Sequence, residues 1–335
     1  MVKNKFNDII ISSEKTNKIL FNKIFDANSN IIIEDRLNNI ANLIYKKVDC
    51  ISLPEIINHK TIKDYDYLQI PYLGNQIAII FNNTDINQLI LTKKQVYDIL
   101  TGKITNWNQI SSKYNDKKIT IFYNIKNSSL NFALKKCYNK LPFNIIGNKV
   151  FNNYELKQKV INTNGSISFI NFSDISKKHK YVHTIKKNDT LSYLAYKYNI
   201  KIDKLIKLNN IVNTNKINIG DKLIILNNIN FGIAFIKNNN DILTYPEINS
   251  WNMYLEQINF NDELLEGINS NPINENTYPF NYFTWIIFDK KKKNKMFKLF
   301  NYLLSQEIQK KLIDYGFFPL NDKIKNDIIK KLGDI

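Results

Sequence analysis

Arginine is almost missing from this chain: Arg36 is the single one among 47 Lys+Arg residues. That scarcity weakens the obvious reading of a formal net charge of +17, because specific nucleic-acid readers lean on the bidentate guanidinium fork. Glycine and proline are also scarce, 9 and 7 in 335 residues; this excludes a collagen-like chain and argues against a Pro/Gly-rich disordered one. Two cysteines, Cys50 and Cys137, cannot build a disulfide framework. No stretch approaches the ~18 uncharged apolar residues of a membrane-spanning helix. The amino terminus lacks the apolar run of a signal peptide, since Ile9 to Ile11 is followed at once by Ser, Glu and Lys. The expectation is a chain that stays in the cytoplasm as written, or one whose leader has been removed or lost.

What is abundant is lysine, isoleucine, tyrosine, phenylalanine and about fifty asparagines, well above ordinary usage. This is the signature of an AT-rich coding bias at tolerant surface positions, so the charge is read mostly as bias. The densest basic run, Lys290 to Lys293, is expected to be a solvated loop.

Strand and helix signals alternate through the first fifty residues. Short strands are expected at Asp8 to Ser12, Asn30 to Glu34 and Val48 to Leu53. Helical spacing separates them, over Lys15 to Phe25 and around Leu37, Ile40, Ala41 and Ile44. That alternation predicts an α/β layer with a largely parallel sheet. Further strands are expected at Gln76 to Asn82, Lys118 to Tyr123, Ser166 to Ile170, Phe231 to Ile236 and Tyr282 to Phe288. Thr92 should cap a helix that stops at Gly102, Asn127-Ser128-Ser129 should start another, and one amphipathic helix should run from Lys295 to about Tyr315. His59, His179 and His183 show no metal spacing, the cysteines form no Cys-x-x-Cys pair, and there is no phosphate loop or nucleophile elbow. No catalytic residue, metal or cofactor is expected, and the chain is read as a non-enzyme.

Residues Tyr181 to Leu226 read as a compact β-α-α-β unit. Its Asp189-Thr190-Leu191, Ala195, Leu205-Ile206-Lys207-Leu208-Asn209 and Ile217-Asn218-Ile219-Gly220-Asp221-Lys222-Leu223 resemble the LysM family. The resemblance implies binding of N-acetylglucosamine polymers such as peptidoglycan, in a groove made here by Asn188, Asp189, Thr190, Leu191, Asn210, Ile211, Val212 and Asn213. Asn188 stands where the family has glycine, and asparagine tolerates positive φ.

The flanks resemble the phosphate-binding proteins of ABC transporters, which have the two-lobed type II periplasmic-binding fold. Ile70 to Asn82, then Leu91-Thr92 through Gly102-Lys103-Ile104-Thr105-Asn106-Trp107, and finally Tyr278-Pro279-Phe280 with Phe300 to Leu320 carry this likeness. The resemblance implies lobe one at 1–76 and 277–335, lobe two at 77–178 and 228–276, and a LysM insertion at 179–227. It implies an anion-binding cleft at Ser12, Ser13, Asn124, Lys126, Ser128 and Ser129. Asn124 stands where the family has arginine, and Leu53-Pro54-Glu55 follows the strand where the family has an acceptor aspartate. Losing both should weaken phosphate capture.

The expected function is a non-enzymatic, envelope-associated or periplasmic binding protein whose LysM module contacts peptidoglycan. One alternative is a working solute receptor for phosphate or another oxyanion, with a membrane transporter as partner. The other is a basic surface protein that holds nucleic acid or anionic polymers by charge. Trp107 is expected to be a core anchor and Gly316 a helix C-cap.

Overall fold

The computed structural model describes residues 8–334 except 15–16, 18–19, 22–23, 26–29, 35, 56, 58, 140–143, 176–179, 198–201, 212, 214–216, 227–230, 239 and 259–276. The strands in chain order are β1 (Ile10–Ser13), β2 (Asn30–Ile33), β3 (Cys50–Leu53), β4 (Tyr67–Asn82), β5 (Ile90–Thr92), β6 (Thr120–Asn124), β7 (Asn148–Val150) and β8 (Ser166–Asn171). They continue with β9 (Lys180–Thr184), β10 (Lys222–Leu226), β11 (Gly232–Ile233), β12 (Phe235–Lys237), β13 (Leu243–Thr244) and β14 (Asn281–Asp289).

One large sheet is ordered β2-β1-β3-β14-β4-β8-β6-β7, with β11 also on β4. Its outer strands pair in parallel, β1 with β2 and β3, and β6 with β7 and β8. The centre is antiparallel, because β4 leaves one half of the molecule and β14 returns to it. A largely parallel sheet, as the early alternation suggested, therefore holds only for the flanks. The sixteen-residue β4 spans both halves: Tyr67 to Gln76 pairs with β14, and Ile77 to Asn82 with β8. Pro71 cannot donate to a ladder, and the register shifts there so that Trp285 faces Pro71 and Thr284 faces Leu73.

Two cores flank this double crossing, giving a two-lobed α/β architecture. The first gathers Ile11, Leu20, Phe21, Ile51, Tyr72, Phe283, Trp285 and the apolar faces of the C-terminal helices. Asn17, Leu20, Phe21 and Ile24 are helical as expected, Phe25 is a bend just past them, and the rest of Lys15 to Phe25 lies outside the described residues. The second core holds Ile77, Ile79, Leu91, Val96, Ile99, Trp107, Leu130, Leu134 and Phe169. Trp107 is fully buried and its Nε1 donates to the Gly165 carbonyl at 3.0 Å. Thr92 caps the Lys93–Leu100 helix in a reciprocal capping box with Gln95, and Gly102 follows at φ 76°.

Three local expectations change. The stretch Phe231 to Ile236 is two strands, β11 on β4 and β12 between β5 and β13. The C-terminal amphipathic stretch is two helices, Lys293–Leu303 and Gln306–Asp314, because the Ser305 hydroxyl accepts from Ile308 N and starts the second. It ends in a Schellman pattern: Gly316 N–H donates to Ile313 O and Phe317 N–H to Leu312 O. The Lys290 to Lys293 run is a 3-10 turn leading into a helix rather than a free loop. Lys292 Nζ lies 2.8 Å from Asp49 Oδ1 and also donates to the Val48 carbonyl.

The helix Ile248–Glu256, unmarked in the sequence, sends Trp251, Tyr254 and Leu255 into the first core although 228–276 was assigned to lobe two. No helix among the described residues is long and apolar enough to cross a membrane.

Candidate functional site

Among the expected anion-site residues, those at the end of β1 meet the start of the Ser128–Tyr138 helix. That helix begins as its sequence suggested: the Asn127 side chain accepts from Leu130 N at 3.1 Å, leaving Ser128 and Ser129 in its first turn. Ser129 is buried. Across from it, Ser12 and Ser13 are buried at the end of β1, and both hydroxyls are used locally. Ser12 donates to Asn39 Oδ1, and Ser13 donates to the Glu14 carbonyl at 3.3 Å. Glu14, the next residue, is 7% exposed and its carboxylate accepts from the Ser128 hydroxyl. The first loop and the helix start are thus brought together, with Glu14 as the residue that joins them.

Asn124 ends β6 nearby, and it is committed elsewhere. Its Nδ2 donates to Asn153 Oδ1 at 2.7 Å, and Asn153 Nδ2 donates to Asp174 Oδ2 at 2.7 Å. Its own Oδ1 accepts from Lys126 N, a local turn that leaves the Lys126 side chain exposed. Behind the helix start stands Tyr282 of β14, whose hydroxyl donates to Asn171 Oδ1 at 3.1 Å. Burial pushes the Tyr282 phenol up, a hydrogen bond with Ser129 opposes this, and the Asp174 and Glu14 carboxylates raise it further. The electrostatic character at this point is therefore acidic.

Sequence reasoning did not find Asn153, Asp174 or Tyr282. They arrive from a helix (Asn153–Ile161), a 3-10 turn (Phe172–Asp174) and the returning strand, and carry no local motif.

The second candidate site is the βααβ unit. β9 and β10 pair antiparallel from Lys180↔Leu226 to Thr184↔Lys222, with helices Leu191–Lys197 and Ile202–Leu208 between them. Ile185, Leu191, Leu194, Ala195, Leu205 and Leu223 form its own small core. Asn188 has φ 71° and Asn210 φ 50°, the left-handed conformations that asparagine accepts. Asp189 Oδ2 accepts from Lys186 N at 2.8 Å and meets His183 Nε2 at 2.7 Å; Thr190 Oγ1 accepts from Tyr193 N at 3.0 Å. Of the expected groove residues, Asn188, Thr190, Asn210 and Asn213 are exposed, while Asp189 and Ile211 are half-buried. Leu191 is a core residue at 5% exposure, and Val212 lies outside the described residues.

Asn209 fastens the second helix to the sheet. Its Nδ2 donates to Leu205 O at 2.9 Å and Ile224 O at 2.8 Å, and its Oδ1 accepts from Ile224 N. Asn209→Ala removes all three; Leu205 O keeps the Asn209 N–H, while the half-buried Ile224 amide and carbonyl lose these bonds, a cost of about 2–3 kcal/mol. The expected outcome is loss of amide-exchange protection in β9 and β10, with protection across β4 and β14 retained.

The profile of the PBP superfamily domain matches residues 54–232. No curated protein matches the sequence. Among solved structures, an ABC-type phosphate transport receptor from Vibrio cholerae aligns at TM-score 0.54 and 13% identity, covering 92% of this chain and 99% of that one. A phosphate-binding protein from Stenotrophomonas maltophilia aligns at TM-score 0.61 and 11% identity, covering 96% and 93%. A human phosphate-binding apolipoprotein aligns at TM-score 0.65 and 11% identity, again covering 96% and 93%. At these identities the likeness is one of fold.

Proposed function

The chain belongs to the PBP superfamily, and on that premise we propose that it is a non-enzymatic solute receptor whose ligand lies between the two lobes. The ligand is a small oxyanion of the phosphate class, held by hydroxyls and amides. The observation that carries this reading is the meeting of Glu14, at the end of β1 in one lobe, with Ser128 at the helix start of the other. A helix start with hydroxyls is a natural anion cradle. The missing arginine sets the strength: Asn124 is tied to Asn153 and offers no fork.

Isothermal titration with phosphate and sulfate tests it. Dissociation constants weaker than about 10 μM are expected. A phosphate constant of about 1 μM or tighter that disappears in Lys126→Ala would show that a lysine has rebuilt the site. No heat with either anion at about 10 mM would refute the oxyanion reading. A charge-only polymer binder, by contrast, would retain DNA and lose it steeply with salt.

The same proposal divides the chain into lobe one (1–76 and 277–335), lobe two (77–178 and 228–276) and an inserted module (179–227). The helix Ile248–Glu256 moves to lobe one, because its aromatic face packs there. A periplasmic or envelope location and a membrane transporter as partner follow from the receptor reading.

The βααβ unit supports a second, compatible activity: LysM-type binding of peptidoglycan or another N-acetylglucosamine polymer. The left-handed Asn188 turn and the exposed Asn210 and Asn213 side chains favour it, since amides can bond acetamido groups. Retention on insoluble peptidoglycan should survive high salt and fall in Asn210→Ala with Asn213→Ala. Retention that salt abolishes would refute it.

A further inference from the structure

Glu14 is placed unlike any other acid of the cleft. It follows directly on β1, its backbone carbonyl accepts from the Ser13 hydroxyl and from Asn17 N, and its side chain is more than nine-tenths buried. The carboxylate reaches across to Ser128, 114 residues away in sequence and on the other lobe. Ser128 is the first residue of an eleven-residue helix, so the carboxylate meets the positive end of a helix dipole as well as a hydroxyl donor. Tyr282, on the strand that returns between the lobes, senses the Glu14 charge. A surface glutamate would gain little from such a contact, whereas a buried charge is held only where partners offset its lost hydration.

We propose that Glu14 is a built-in ligand: its carboxylate takes the anion position at the Ser128 helix start, clasps the two lobes together, and must be displaced before a free oxyanion can enter. The competition with an oxyanion rests on the receptor reading above, whereas the clasp does not. Two consequences separate this chain from a receptor that closes only around its solute. The lobes meet without any solute, and the residue that closes them also excludes anions, because two negative groups cannot share one helix start.

The full-length protein is compared with Glu14→Ala, which removes the carboxylate, and Ser128→Ala, which removes its donor from the opposite lobe. Glu14→Gln keeps the hydrogen bond and removes only the charge. Small-angle scattering without ligand reads the clasp, and titration with inorganic phosphate reads the competition. The wild type is expected to stay compact with or without phosphate. Glu14→Ala and Ser128→Ala are expected to show a larger radius of gyration at unchanged far-UV circular dichroism. Glu14→Gln is expected to stay compact and to gain at least about tenfold in phosphate affinity, the effect of removing one competing charge. Expansion in both alanine variants with no phosphate binding by any variant upholds the clasp and counts against the oxyanion reading instead. Unchanged dimensions in both alanine variants, together with unchanged phosphate affinity in Glu14→Gln, would overturn the proposal.

Discussion

Gly74→Ala should be among the most destabilising single-methyl substitutions available in this chain. A Cβ built on Gly74 would lie 2.0 Å from Trp251 Cζ2 and 2.2 Å from Cη2, far inside contact distance. The indole has nowhere to go. It stacks on Phe318 at 5.8 Å between centroids, meets Phe283 edge-on at 5.2 Å, touches Tyr254 at 5.3 Å, and its Nε1 donates to the Pro319 carbonyl at 2.8 Å. Gly74 is fixed as well, because it exchanges two backbone hydrogen bonds with Phe318 at 2.8 and 2.9 Å. Overpacking in a close-packed core costs about 1–3 kcal/mol, and more where neighbours cannot yield.

Denaturant unfolding should show Gly74→Ala less stable by at least ~3 kcal/mol, or not folded at all. If the indole is the obstacle, Trp251→Phe should relieve it. Trp251→Phe alone creates a cavity and costs ~1–3 kcal/mol, so the double variant should be more stable than the sum of the singles, by about 1–2 kcal/mol. Strict additivity would place the strain elsewhere. The readout also bears on function, since Gly74 sits in the half of β4 that leads to the crossover at Gln76 and Ile77.

Features made by neighbours in sequence were legible; features made by distant partners were not. The Thr92 cap, the Gly102 stop, the helix start at Asn127-Ser128-Ser129 and the Asn188 turn each need only a few consecutive residues, and each is present; the cap of that helix is Asn127 rather than a serine. The βααβ unit was readable for the same reason: its core is drawn from within fifty residues. Trp251 was not assignable to lobe one, because its partners Gly74, Phe283 and Phe318 come from three remote segments.

The long β4 was read only from Gln76 onward as a strand, since Pro71 interrupts the pattern and its consequence, the register shift, depends on β14. In the expected anion site, residue types pointed to Ser128 and to Asn124, which stands where the resembled family has arginine. That Glu14 touches Ser128, and that Asn153 and Asp174 hold Asn124, required the fold.

A second large effect should be a pH dependence owed to Lys136. This lysine leaves the same helix that starts at Ser128 and reaches back to the first lobe. Its Nζ donates to Tyr254 Oη at 3.2 Å and to the Asn281 carbonyl at 3.0 Å, and sits 5.0 Å from the Tyr254 ring centroid. Desolvation pushes its pKa down to about 7. In the unfolded chain the amine holds its proton until about pH 10.4. Between these two values the unfolded state binds more protons than the folded one, so stability rises with pH.

Below about pH 7 both states carry the proton, and the cost of burying the ammonium is present in full and constant. Each pH unit within the window contributes at most ~1.4 kcal/mol, and a total of about 2–4 kcal/mol is expected for a half-buried amine. Lys136→Met isolates this contribution, since other titrating groups cancel between the two proteins. The wild type should gain stability relative to the variant steadily from about pH 7 to pH 10, with no change in the difference between pH 5 and pH 6.5. At the alkaline end the wild type should be the more stable, because the neutral amine still donates to Tyr254 and Asn281, whereas methionine offers neither group a hydrogen bond. A stability difference that stays level from pH 6 to pH 10 would mean that Lys136 keeps its proton and that water reaches the amine between the lobes.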